Sequence, residues 1–205
     1  MTSLPEDKSN NEKVTFVTGN VGKLREFQEY FGHDIGKHFV NKDIDLEEIQ
    51  GTPEEIIRAK LLKAREVVKG PLVVEDTSMG FHAYHLLPGP YIKHFLKSCG
   101  CQGLIDMLEG KKDKSAQALC VIGFLDSDTT KCEIFIGKCE GEISPEVRGK
   151  NNFGWDPIFI PLHERNKEKL TFAQLDIKIK NEISHRGNAL KLFQSFIEQW
   201  SKKKY

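Results

Sequence analysis

The sequence predicts an α/β protein, and three stretches predict it. A strand-patterned run, Lys13–Thr18, stops at Gly19-Asn20 and gives way to Leu24, Phe27 and Phe31 at helical spacing. The apolar run Leu72-Val73-Val74 follows the breaker pair Gly70-Pro71 and delivers two adjacent carboxylates, Glu75 and Asp76, to the small residues Thr77-Ser78. The chain closes on an amphipathic helix starting near Ser184-His185-Arg186, with Leu190, Phe193, Ile197 and Trp200 on one face. The 205 residues suit one domain, or two lobes sharing a sheet, and 39% hydrophobic content with 13 Phe is enough for a substantial core.

Composition excludes some classes of function. Thirty basic and thirty acidic residues cancel, which argues against a general nucleic-acid coat protein but leaves room for a local basic pocket. No run approaches the ~20 apolar residues that span a bilayer. Residues 1–12 are polar without an apolar centre and read as a disordered N-terminal tail rather than a secretory signal. The five Cys form no CxxC pair; free thiols in a reducing, cytoplasmic compartment account for them.

The first unit of the chain is strand, tight turn, helix. Asn20 is its N-cap, Lys23 falls in the first helical turn, and Arg25, Glu26 and Glu29 form a polar face. Such a turn is a common structural device and also a natural phosphate cradle. It is not a Walker A loop, because two residues separate Gly19 from Gly22-Lys23 where four are required, and Leu24 stands in place of the magnesium-binding hydroxyl. A second strand is predicted over 38–42. The acidic segment Asp43–Gln50 after it either is solvated or supplies ligands to a hard metal ion.

Thr52-Pro53-Glu54-Glu55 starts the next helix, with Thr as cap and Pro in the first turn. Lys60 falls inside the apolar arc of Ile57, Leu61, Ala64 and Val68, so it either snorkels or meets an anion. The strand Leu72–Val74 is short, and its acids belong at the sheet rim, pointing to opposite faces. Leu86-Leu87-Pro88-Gly89-Pro90-Tyr91 reads as an irregular loop. Helices are predicted over 91–97 and 104–108, then a hairpin of two long strands, 116–125 and 132–143.

In Gly149–Pro157, Phe153 and Trp155 either stack a planar base, with Asp156 reading its edge, or fold back under the sheet. Arg186 lies on the core face of the last helix in its first turn, where a cation opposes the macrodipole and requires an electronegative partner. Lys180 lies just upstream.

Together these stretches resemble the inosine triphosphate pyrophosphatases, the Ham1-like non-canonical purine nucleoside triphosphate diphosphatases, in their eukaryotic form. The matching residues are Thr18-Gly19-Asn20 with Lys23, Asp45-Leu46 through Gln50-Gly51, Glu75-Asp76-Thr77, Leu87-Pro88-Gly89-Pro90-Tyr91-Ile92-Lys93, Phe153-Gly154-Trp155-Asp156-Pro157 and Ser184-His185-Arg186. They fall in family order across nearly the whole chain after residue 12.

The resemblance implies an elongated central mixed β-sheet with helices on both sides, forming one two-lobed domain over 13–205 around a nucleotide cleft. It also implies a homodimer and a magnesium requirement, manganese being the alternative ion. By position, Thr18, Gly19, Asn20, Val21, Gly22, Lys23 and Lys60 would hold the triphosphate. Glu48 and Asp76 would bind the metal, with Glu47 the alternative to Glu48 if the register slips by one. Asp76 would activate water, with Glu75 beside it and Lys23 assisting. Thr77 and Lys93 would contact the nucleotide, while Phe153, Gly154, Trp155, Asp156, Lys180, Ser184, His185 and Arg186 would form the base pocket. Residues 162–176 match only loosely and receive no role.

The implied reaction is hydrolysis of ITP, dITP or XTP to the monophosphate and pyrophosphate. A diphosphatase for another modified nucleotide and a catalytically silent nucleotide-binding module are the rival readings; no nucleic-acid or membrane partner is expected.

Overall fold

The computed structural model describes residues 13–32, 38–127, 129–150 and 153–204, so the expected N-terminal tail lies outside the described residues. Strand β1 (Val14–Val17) runs into helix α1 (Val21–Phe31), where the Asn20 side chain accepts from Lys23 N at 3.1 Å as predicted. Strand β2 (Phe39–Lys42) and helix α2 (Pro53–Arg65) follow, the latter with a complete Thr52–Glu55 capping box. Strand β3 (Leu72–Phe81) pairs parallel to β1, and β1 parallel to β2; such pairs need crossovers, which α1 and α2 supply.

The rest of the sheet is antiparallel: β4 (Leu87–Gly89), β5 (Ser115–Leu125), β6 (Glu133–Ile143) and β7 (Phe159–Pro161) complete a seven-stranded mixed sheet of order β2-β1-β3-β5-β6-β7, with β4 on β3. Helix α3 (Ile92–Asp106) breaks at Gly100 (φ 66°), so the two helices expected there meet end to end. Helix α4 (Ile177–Ile183) then leads into α5 (His185–Lys204).

Core residues cover both faces. On one face Phe16, Val73, Ile122 and Phe124 pack with Phe27 of α1 and Phe193 of α5; on the other Val17, Val74 and Val121 pack with Ile57 and Leu61 of α2. A third cluster joins α3 to β3, β7 and Phe172.

Two expectations change. The acids Glu75 and Asp76 do not end a short strand; β3 runs ten residues straight through them, because β5 pairs with every one from Leu72 to Phe81. The opening at the acids arises on the other edge of β3, where β1 pairs only as far as Val74 and β4 begins only at Met79. The loop 86–91 likewise contains the short strand β4, with a cis Leu87–Pro88 bond.

Candidate active site

The gap on the open edge of β3 is the floor of a cleft of about 620 Å³. Its walls come from the β1–α1 turn (Thr18, Gly19, Asn20, Lys23), the segment 43–48, Lys60 of α2, Lys93 of α3, and Phe153–Asp156 with His185 and Arg186. It therefore lies beyond the carboxyl end of a parallel strand, where open α/β sheets bind ligands. Asp76 and Arg186 line the same cavity.

Alternation along β3 sends the two acids to opposite faces, as the strand pattern predicts. Asp76 faces α2, where Lys60 Nζ lies 2.5 Å from Asp76 Oδ1 and 3.1 Å from Glu48 Oε1. The anion that the buried-face lysine meets is thus the protein's own carboxylate pair. Burial opposes the Lys60 charge, but Asp76 and Glu48 outweigh it and raise its pKa. Burial also works against the Glu48 carboxylate, and Lys60 and Lys93 more than compensate, lowering it. Lys93 Nζ sits 3.1 Å from Glu48 Oε2, so Glu48 ties α2 to α3. Glu48, not Glu47, lines the cleft; Glu47 acts on Lys63 outside it.

Glu75 faces the opposite way, into a buried ionic network. Arg186 grips it through Nε and Nη2 at 2.8–3.1 Å, and Lys23 Nζ approaches within 3.6 Å. Arg186 also pairs with Glu26, and Lys180 pairs with Glu26 and Asp156. Arg186 and Lys180 are each 1% exposed. Charges this deep persist only when paired and hydrogen-bonded. Burial would raise the Glu75 and Glu26 carboxyls, yet Arg186, with Lys23 at Glu75 and Lys180 at Glu26, holds both below the ordinary range. At Asp156 burial wins over Lys180, and the carboxyl is pushed up to about 6. Burial and the neighbouring Arg186 and Lys180 charges keep His185 neutral, far below the usual imidazole range, and its Nδ1 has no hydrogen-bond partner.

The two aromatics divide the alternatives between them. Trp155 folds inward against Phe159, Phe172 and His185. Phe153 stays half-buried at the cleft, its ring 5.2 Å from Lys180 Nζ and 5.6 Å from the Arg186 guanidinium carbon. Thr77 and Gly154 line the cavity as well. Val21, Gly22, Lys180 and Ser184 do not: Val21 is 80% exposed, Gly22 packs against Phe153, Lys180 stands behind Asp156, and Ser184 Oγ accepts from Gly187 N to cap α5.

Glu26 is the residue that sequence reasoning missed. It falls on the polar side of α1 by pattern, yet it is 3% exposed because α4 and α5 pack over it. Its partner Lys180 is 154 positions away, beyond the reach of any local pattern. The segment 162–176 also gains a structural role. Thr171 Oγ1 donates to Arg148 O, and Ala173 N to Asp156 O, so this segment fixes the loop that presents Asp156.

Residues 14–196 match the Ham1 family. The inosine triphosphate pyrophosphatase of Fusarium vanettenii is 46% identical over 187 residues, covering 91% of this chain and 97% of that one. That of Mycosarcoma maydis is 43% identical over 194 residues, covering 94% and 98%. Among solved structures, a HAM1 protein from Coxiella burnetii superposes with a TM-score of 0.75 at 29% identity, covering 92% of this chain and 99% of that one. The Ham1 protein of Staphylococcus aureus gives 0.74 at 28% identity, covering 91% and 99%.

Proposed function

This chain belongs to the Ham1 family, and we propose accordingly that it hydrolyses inosine- and xanthosine-type nucleoside triphosphates, ITP, dITP and XTP, to the monophosphate and pyrophosphate. The observation that carries this reading is the sharing of one cleft by the Lys60–Glu48–Asp76 cluster, the β1–α1 turn and the buried Arg186.

The donor set fits magnesium. Glu48 and Asp76 converge on a single ammonium, so their oxygens are close enough to share a cation. Among the described residues no group of three His, Cys, Asp or Glu side chains could hold a metal. Magnesium is satisfied by one or two carboxylates plus waters and phosphate oxygens, which is what two acids beside a triphosphate offer. When bound, the ion would withdraw charge from the phosphate oxygens.

The chain's own groups do the rest. The turn Thr18–Lys23 presents α1's N-terminus to the phosphates, and Lys23, Lys60 and Lys93 offset the negative charge that grows as pyrophosphate leaves. Asp76 accepts the proton of a water whose oxygen bonds to the α-phosphorus while the bond from that phosphorus to the bridging oxygen breaks. Glu75, gripped by Arg186, serves as the anchor that orients the guanidinium rather than as a second base. Nε, one Nη1 hydrogen and one Nη2 hydrogen of Arg186 are committed to Glu75 and Glu26, leaving one hydrogen on each Nη for a 6-keto oxygen. Adenine presents an amino donor there, which leaves a buried cation facing a donor.

Incubation with ITP and magnesium tests the reaction: pyrophosphate must be released, and orthophosphate release would refute it. Equal turnover of ATP would refute the basis of selectivity. The same family reading gives a cytoplasmic homodimer, which sedimentation would register as twice the chain mass.

A further inference from the structure

Lys60 is engaged twice over in the free protein. It is 6% exposed and leaves α2 from the side that buries Ile57, Leu61 and Ala64. Its ammonium reaches both carboxylates that the proposed mechanism gives to magnesium, Asp76 Oδ1 at 2.5 Å and Glu48 Oε1 at 3.1 Å. The second cation on this pair, Lys93, touches only Glu48 Oε2, and with its side chain 73% exposed that bond is screened by water. Two carboxylates and two ammoniums leave the cluster with no formal net charge. Charge alone therefore does not draw a divalent ion to the pair; the ion must contend with Lys60 for the same oxygens. Eviction has a cost of its own. An ammonium on a buried stem does not reach bulk water freely, and its burial without an anion is unfavourable. On the proposed function, the anion that enters this cleft is the triphosphate, received at the β1–α1 turn that lines the same cavity.

We propose that Lys60 holds the divalent-cation position of the free protein and gives it up in exchange for phosphate oxygens. The inference rests on the magnesium and phosphate readings of this cleft and adds the side chain that competes with the metal. Lys60 leaves Asp76 and Glu48 when substrate arrives, and its flexible four-carbon stem carries the ammonium across to the phosphates. The carboxylate that activates water is thus tied up until there is something to hydrolyse. Without nucleotide the protein binds the metal weakly.

Manganese titrations of the nucleotide-free protein test this, with bound ion read from the loss of the free-ion paramagnetic signal. Lys60→Met keeps the apolar stem and removes the charge. It should bind Mn2+ at least about tenfold more tightly than wild type, since a unit charge a few ångströms from a divalent ion costs that much even at the dielectric of water. Lys60→Gln should match it, and Lys60→Arg, which keeps the charge, should stay as weak as wild type. At saturating metal the KM for ITP should rise in both neutral variants, because the phosphates lose the lysine that crosses to them. Manganese binding that is equal or weaker in both neutral variants would overturn the proposal; an unchanged KM would overturn the exchange. Asp76→Asn separates the two levels of inference. If it weakens manganese uptake by protein loaded with a non-hydrolysable ITP analogue while the neutral Lys60 variants bind like wild type, only the competition falls. If manganese uptake ignores Asp76 altogether, the metal reading falls with it.

Discussion

Two adjacent side chains on β3 acquire different roles because one points to α2 and its neighbour to α5. Asp76→Asn should lower kcat by at least the ~10²–10⁴-fold that a positioned base is worth; stopped-time assays of pyrophosphate release give the value. Asp156 carries a pH signature. Its carboxyl stands near 6 in the folded protein and near 3.8 in the unfolded chain. Between those values the folded state holds a proton that the unfolded state has released, so this group's contribution to stability falls as pH rises through the window. The melting temperature of the wild type relative to Asp156→Asn should therefore improve as pH is lowered from 7 to 5, and a constant difference would contradict the assignment. Glu26 and Glu75 have the opposite sign: lowered in the folded state, they contribute stability above about 4.5 that is lost as pH falls below it. Glu26→Ala removes a shared partner of two buried cations and should cost about 3–5 kcal/mol in urea unfolding.

Among the elements, the site depends on how closely α5 approaches the sheet. Gly137 of β6 makes that approach possible, since a Cβ there would lie 2.1 Å from His185 O and 2.2 Å from Ala189 N. Both neighbours are backbone and cannot swing aside. Gly137→Ala should cost about 1–3 kcal/mol through overpacking and should raise KM for ITP, because the first turn of α5 carries Arg186; an unchanged melting temperature and KM would show that the helix has room to shift. Local elements were the most legible part of the sequence. The Thr52 box, the Asn20 cap and the β5–β6 hairpin depend on residues a few positions apart. Helix α4 and strand β7 were not legible, because each is short and is held by contacts from distant segments. The extent of β3 is illegible for a related reason: polar residues Glu75–Ser78 suggest a loop, but pairing with β5 along one edge holds them in the strand.

Across the molecule as a whole, the cleft exists because the sheet changes partners along one strand. Parallel β1 leaves β3 at Val74 and antiparallel β4 joins it at Met79, and the intervening bare edge is roofed by segments drawn from the entire chain. Ligand binding should accordingly stabilise the whole fold. With magnesium and a non-hydrolysable ITP analogue present the wild type should melt higher, by about 2.7 kcal/mol of stability at a hundredfold excess of the analogue over its Kd. No rise with either component would argue against a shared metal–nucleotide site.

Periodicity and capping were enough to specify the α/β class and most of the elements, and the motifs that carry the family resemblance named most of the residues that meet in the cleft. Who neutralises whom was settled only by the assembled fold. Glu26 and Lys180, or Lys60 and Asp76, become partners once the sheet and its helices have come together, since burial and charge pairing depend on distance in space and leave no trace in local spacing.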